Sequence, residues 1–102
     1  MKTLKHIVMW RFLDNAEGMT KQENALWMKE HLEALLGRIP ELISVEVGVN
    51  VCESDAAYDA VLIATFHSVE DLERYKNHPL HKEISSYCKK VRDSRIVCDF
   101  WE

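Results

Sequence analysis

The sequence predicts one α+β domain with the element order strand, helix, strand, strand, helix, strand, and three observations carry that reading. Hydrophobic spacing switches between the two-residue period of a strand and the 3.6-residue period of a helix. Two of the four strand-like segments are apolar on both faces, as strands in the middle of a sheet would be. The second helical segment is interrupted by Asn77-His78-Pro79, so it reads as two helices meeting at a break. With 102 residues the chain can bury a single core, and it holds no linker, repeat or low-complexity stretch.

Thr3 to Leu13 reads as the first strand, with Leu4, His6, Val8, Trp10 and Phe12 on one face and Ile7 and Met9 on the other. Asp14 to Met19, containing Gly18, reads as a loop. Thr20-Lys-Gln-Glu23 has the spacing of a capping box and opens a long helix. Its apolar stripe is Ala25, Met28, Leu32, Leu35 and Ile39, and Gly37 and Pro40 are expected to end it. Trp27 and His31, one turn apart, fit an aromatic at the core boundary beside a solvated histidine.

From Leu42 the period becomes two. Ile43, Val45, Val47, Val49 and Val51 should make a strand with one dry face, and Cys52 to Ala57 the turn after it. Tyr58 to His67 is the third strand and, being apolar on both sides, a central one. Ser68 is the expected N-cap of the second helix, with Glu70 and Asp71 in its first turn, where the dipole favours them. Val69, Leu72 and Tyr75 share a face of it; beyond the break, Leu80, Ile84, Tyr87 and Val91 form a second stripe. The last strand runs from about Ser94 to Trp101. The resulting βαββαβ order is the ferredoxin-like pattern, a four-stranded antiparallel sheet with helices on one face. Ile7, Met9, Val61, Ile63 and Val97 should then project from the uncovered face, and a second copy of the chain is the expected cover.

Composition narrows the function. The formal net charge is −4, with basic and acidic residues interspersed, so no nucleic-acid partner is expected. No apolar run is long enough to cross a bilayer, so neither is a membrane. The basic-then-apolar start is interrupted by Arg11 and reads as a strand, not a secretion signal, which places the protein in the cytoplasm. Cys52, Cys88 and Cys98 lack metal-ligand or redox spacing and read as small thiols, buried or half-buried, in a reducing compartment.

An ordered set of motifs resembles the stress-responsive α/β-barrel domain family. They are Lys5-His6-Ile7-Val8, Ile39-Pro40, Ser54 to Asp59, Phe66-His-Ser-Val-Glu-Asp-Leu72, Tyr75-Lys-Asn-His-Pro-Leu-His81 and Asp99-Phe100, spanning essentially the whole chain. The resemblance implies a homodimeric α+β barrel without a tightly bound organic cofactor. Members of that family include proteins without an assigned reaction, plant stress proteins that form larger oligomers, and polyketide cyclases that catalyse an intramolecular aldol condensation. In those cyclases a Tyr–His pair in the broken-helix segment works with a histidine of the first strand, and Tyr75, His81 and His6 match those positions. The cyclases carry a further histidine where this chain has Ala60, and aromatic pocket walls where it has Leu32 and Arg92.

Tyr75, His81 and His6 are therefore the candidate catalytic residues. Tyr75 falls in the last turn of one helix and His81 in the first turn of the next, about a hundred degrees round from Leu80 at the edge of the buried stripe. Converging on one volume, His81 would act as general base beside a carbonyl. Tyr75 would orient it or donate to an enolate oxygen, and His6 would hold the substrate. His78, before the proline, reads as a capping residue. The spacing His78-x-x-His81 could share a cation, but Pro79 sets His78 off the helix, so no structural zinc is expected, and a weak cation at a dimer interface is left open. Two functional classes follow. One is a small internal pocket for a hydrophobic or carbonyl-bearing molecule, with or without cofactor-independent cyclase or lyase chemistry. The other is a non-catalytic, oligomerising stress protein whose histidines only fill and cap.

Overall fold

The computed structural model describes residues 2–102. Along the chain run β1 (Leu4–Phe12), β2 (Asn15–Ala16), β3 (Met19–Thr20), α1 (Lys21–Glu33), β4 (Ser44–Val49), β5 (Ala60–Phe66), α2 (Val69–Asn77), α3 (Pro79–Val91) and β6 (Arg92–Trp101). The four long strands make one antiparallel sheet in the order β4-β5-β1-β6. The two segments that are apolar on both faces are its central strands, as expected, and the arrangement is ferredoxin-like.

Alternation along β1 decides which side is dry. Leu4, His6, Val8, Trp10 and Phe12 are buried, and directly across on β5 Ala60, Leu62, Ala64 and Phe66 are buried with them. Met28 and Leu32 of α1, Leu72 and Tyr75 of α2, and Ile84, Cys88 and Val91 of α3 complete this core. The other face carries Ile7, Met9, Val61 and Ile63, part-exposed and with no helix over them.

The predicted caps form. Thr20 and Glu23 make the reciprocal capping box of α1, and the Ser68 side chain accepts from the Asp71 amide at the start of α2. His78 closes α2 and opens α3: its backbone is extended, and its Nδ1 accepts from the Leu80 amide at 3.1 Å. Pro79 follows at the first helical position, where its missing N–H costs nothing.

Several expectations are corrected. The stretch from Asp14 to Met19 is not plain loop: β2 and β3 form a small hairpin whose turn residues Glu17 and Gly18 have φ of 52° and 76°, the signature of a two-residue primed turn. α1 ends at Glu33, earlier than the stripe suggested. Beyond it the chain tightens into i→i+3 turns, Leu35 to Leu32 (3.1 Å) and Arg38 to Leu35 (2.9 Å), before Gly37 at φ 85° reverses it. Leu35 and Ile39 are buried all the same. At that end Glu33 accepts from Lys29 Nζ (2.8 Å) and from the Val47 amide (3.0 Å), a tertiary contact that ties the helix end to β4.

On β4 only Val47 is fully buried, and Val51 lies outside the strand in the open, because β4 is an edge. Val97 lies on the side opposite to that expected. It lies directly opposite Val8 and so shares the helix-facing side, while Ile96, Cys98 and Phe100, paired with Met9, Ile7 and Lys5, join the uncovered face. Among the cysteines only Cys88 is buried; Cys98 sits on this open edge strand and Cys52 in the loop after β4, both exposed.

Candidate functional site

A cavity of about 330 Å³ opens between the sheet and the helical layer beside the edge strand β6. Its floor is apolar, from Val8, Trp10, Leu62, Met28, Leu32 and Ile84, and His6 and His81 stand on its wall. That is the small end of the size range of ligand pockets.

His6 reaches this wall because strand alternation turns it inward, and it is 2% exposed. The antiparallel register of β1 and β6 sets Asp99 directly opposite, and His6 Nδ1 lies 2.5 Å from Asp99 Oδ1. A carboxylate can only accept, so Nδ1 carries the hydrogen and the carboxylate fixes the tautomer. Burial lowers the His6 pKa; the Asp99 hydrogen bond and charge pull the other way, and the charges of Lys76 and Arg95 lower it further.

His81 is held differently. The break at Pro79 lets its Nδ1 approach the Lys76 carbonyl at 3.2 Å, so this nitrogen too is the donor and Nε2 keeps its lone pair. Burial, opposed by that hydrogen bond and reinforced by the charges of His6, Arg95 and Lys76, brings its pKa down to about 4. The ring is therefore neutral at pH 7.

Tyr75 belongs to the same cluster but does not line the cavity. Its ring centroid is 4.5 Å from that of His81, 5.0 Å from Phe66 and 6.5 Å from His6. It is fully buried, its hydroxyl has no hydrogen-bond partner among the described residues, and burial pushes the phenol far above its usual range. The three predicted residues are thus brought together, two on the cavity wall and one packed behind His81. His78 is a cap, and His31 stacks on Trp27 at 3.8 Å on the exposed side of α1, as read from sequence. Leu32 and Arg92 line the cavity; Ala60 is buried opposite Trp10, away from it.

Sequence reasoning missed Asp99 and the cationic rim. Asp99 was only half of a terminal motif, and its pairing with His6 spans 93 residues. No group of three or more His, Cys, Asp or Glu among the described residues is arranged to hold a metal. Nor is any helix long and apolar enough to cross a membrane.

Residues 4–102 match the sequence model of the family described as the stress responsive A/B barrel domain. The chain belongs to that family. A dimeric protein of unknown function with a ferredoxin-like fold from Bacteroides fragilis is 27% identical, with 96% of this chain and 94% of that chain covered and a TM-score of 0.80. A dimeric ferredoxin-like protein of unknown function from Thermobifida fusca superposes with a TM-score of 0.81 at 20% identity, covering 97% and 90% of the two chains. The hydroxynitrile lyase of Passiflora edulis shares the fold at 17% identity, with a TM-score of 0.80 and coverage of 98% and 93%. No curated protein matches the chain in sequence. At the lower identities the likeness is one of fold alone, but it places this α/β-barrel domain among structures described as dimers.

Proposed function

We propose that this stress-responsive α/β-barrel domain protein is a cytoplasmic homodimer whose cavity binds a small carbonyl-bearing molecule and moves a proton next to that carbonyl. The single observation behind this reading is the pair of imidazoles on one cavity wall, each with Nδ1 occupied and each by a different partner. Two imidazoles whose Nδ1 atoms are fixed by different partners, a carboxylate and a backbone carbonyl, suit different roles in proton transfer.

His6 is the stronger base of the two, because Asp99 stabilises the imidazolium that proton abstraction creates. His81 stays neutral with only a lone pair on Nε2, so its role is to accept a hydrogen bond from a hydroxyl of the substrate or of the enol, while the His6 imidazolium returns the proton it took. Tyr75 acts through packing, fixing the His81 ring from behind. Enolate chemistry of this kind, cyclase-like or lyase-like, needs no redox group or nucleotide. The reading of His81 as the primary base, drawn from sequence, gives way here to the Asp99–His6 pair.

Dimerisation is supported by the uncovered sheet face, where Ile63 is 36% and Phe100 47% exposed. Dimeric solved structures of the same fold support it as well. Ile63→Asp would place a charge at its centre. Sedimentation should then show a monomer where the unaltered chain sediments as a dimer, and a monomeric unaltered chain would refute the pairing.

The chemistry is tested by incubating the protein with a panel of enolisable ketones in deuterated water and following loss of the α-proton signal by NMR. Exchange should be catalysed by the unaltered protein and slowed by roughly 10²–10⁴ in His6→Gln. Binding without exchange would reduce the domain to a binding module. Neither binding nor exchange would leave the oligomerising structural role.

A further inference from the structure

The cavity wall has a second property that acid–base chemistry does not use. Lys76, Lys89, Arg92 and Arg95 all line it, and no aspartate or glutamate does. In a chain with a net charge of −4 that is a local reversal of sign. Elsewhere on the surface four basic side chains sit against acids: Lys5 with Glu102 (3.9 Å), Lys21 with Asp14 (3.4 Å) and Asp59 (3.8 Å), Lys29 with Glu33 (2.8 Å) and Arg74 with Asp71 (3.0 Å). At the cavity only Lys76 has a partner, Glu73 at 3.5 Å, while Lys89, Arg92 and Arg95 make no ion pair among the described residues. Asp99 does not supply the missing charge. It is engaged by His6, and it lies four positions along the strand from Arg95, roughly 13 Å away.

Fold geometry brings these cations together. Arg92 ends α3 and begins β6 without a loop between them. Arg95, opposite Trp10, faces the helical side of the sheet. Lys89 lies on α3 and Lys76 in the last turn of α2. Their field enters the cavity: alongside the larger effect of burial, the Arg95 charge opposes protonation of both His6 and His81. Gathering like charges around a small, apolar-floored volume is unfavourable unless a counter-charge arrives, and guanidinium groups present flat, paired donors that match carboxylate and phosphate oxygens.

We propose that the ligand of this cavity is an amphipathic organic anion, a carboxylate or phosphate head held by Arg92, Arg95 and the two lysines, with an apolar body over Val8, Met28 and Leu62. This rests on the cavity's being the ligand site and adds the class of molecule it takes. The head group lies at the mouth, beside β6. The body points inward, so the carbon next to it is presented to His6 and His81.

The test is calorimetric titration of the dimeric protein with three matched probes: hexanoate, hexyl phosphate and methyl hexanoate. Both anions, or one of them, should bind, with affinity falling as salt is raised, and the neutral ester should bind at least about tenfold more weakly. Which anion is preferred identifies the head group. The Arg92→Gln/Arg95→Gln double variant, checked for an unchanged unliganded melting temperature, should lose roughly tenfold or more for the anions. Lys90→Gln, an exposed neighbour outside the cavity lining, should change nothing. Equal binding of the ester, anion binding untouched in the double variant, or no binding by any probe would overturn the proposal. His6→Gln separates it from the proposed chemistry: that variant should lose proton exchange and keep the anion.

Discussion

The two ends of the helical layer treat buried polar atoms in opposite ways. At one end Asn24, fully buried in α1, donates to the Ala16 carbonyl of the hairpin at 3.2 Å and accepts from the Tyr87 hydroxyl of α3 at 2.5 Å. Trp27 lies 4.0 Å from the Tyr87 ring and 3.8 Å from His31, sealing the seam. At the other end the Tyr75 hydroxyl has no partner among the described residues, and two imidazoles each keep one nitrogen free of hydrogen bonds to them. A saturated polar cluster holds elements together. An unsaturated one beside a cavity costs stability, which is what a site for chemistry looks like.

The largest effect that would sharpen this contrast is at the saturated end. Asn24→Leu strands the Ala16 carbonyl and the Tyr87 hydroxyl, and denaturant unfolding should show a loss of about 2–3 kcal/mol. A loss below the measurement error would mean that the seam is not a structural tie.

His81 should give the next effect, through pH. Its pKa is about 4 when folded, against an ordinary histidine value of 6.5, so between those values the unfolded chain binds more protons than the folded one. Stability must therefore rise with pH from about 4 to 6.5, by up to about 3 kcal/mol if the whole shift is realised. His6, whose pKa is also lowered, adds in the same sense. Melting curves of His81→Gln should be flatter across this window; an unchanged pH slope would contradict the burial of a neutral ring.

The smallest effects come from two single-oxygen deletions. Tyr87→Phe breaks a made hydrogen bond and should cost about 1 kcal/mol, whereas Tyr75→Phe removes an unpartnered hydroxyl and should leave stability unchanged or slightly higher. If both variants lose the same amount, the two ends are alike and the contrast fails.

Local chemistry was the most legible layer of this fold. Thr20 and Glu23, Ser68, and His78 before Pro79 mark helix ends through side chain and backbone a few residues apart, and all three caps form where expected. Apolar residues on both faces of β1 and β5 marked the centre of the sheet. The site was half legible. Tyr75 and His81 lie on adjoining turns at the break, and inward alternation gives His6. Asp99 and Arg95 depend on the pairing of β1 with β6, across more than 80 positions of chain, and pattern alone does not set which face an edge strand turns inward. The same gap misplaced Val97. The early end of α1 depended on Glu33 finding the Val47 amide, another contact between distant segments.

The most direct measurement is nitrogen-detected NMR of the histidine rings together with Tyr87, with and without a cavity ligand such as hexanoate. The expected result is a neutral, Nδ1-protonated His81 at pH 7, with His6 and His81 signals moving on addition while Tyr87 stays fixed. A cationic His81 at neutral pH, or a ligand that shifts Tyr87 and leaves both imidazoles unmoved, would place the working end of this domain elsewhere.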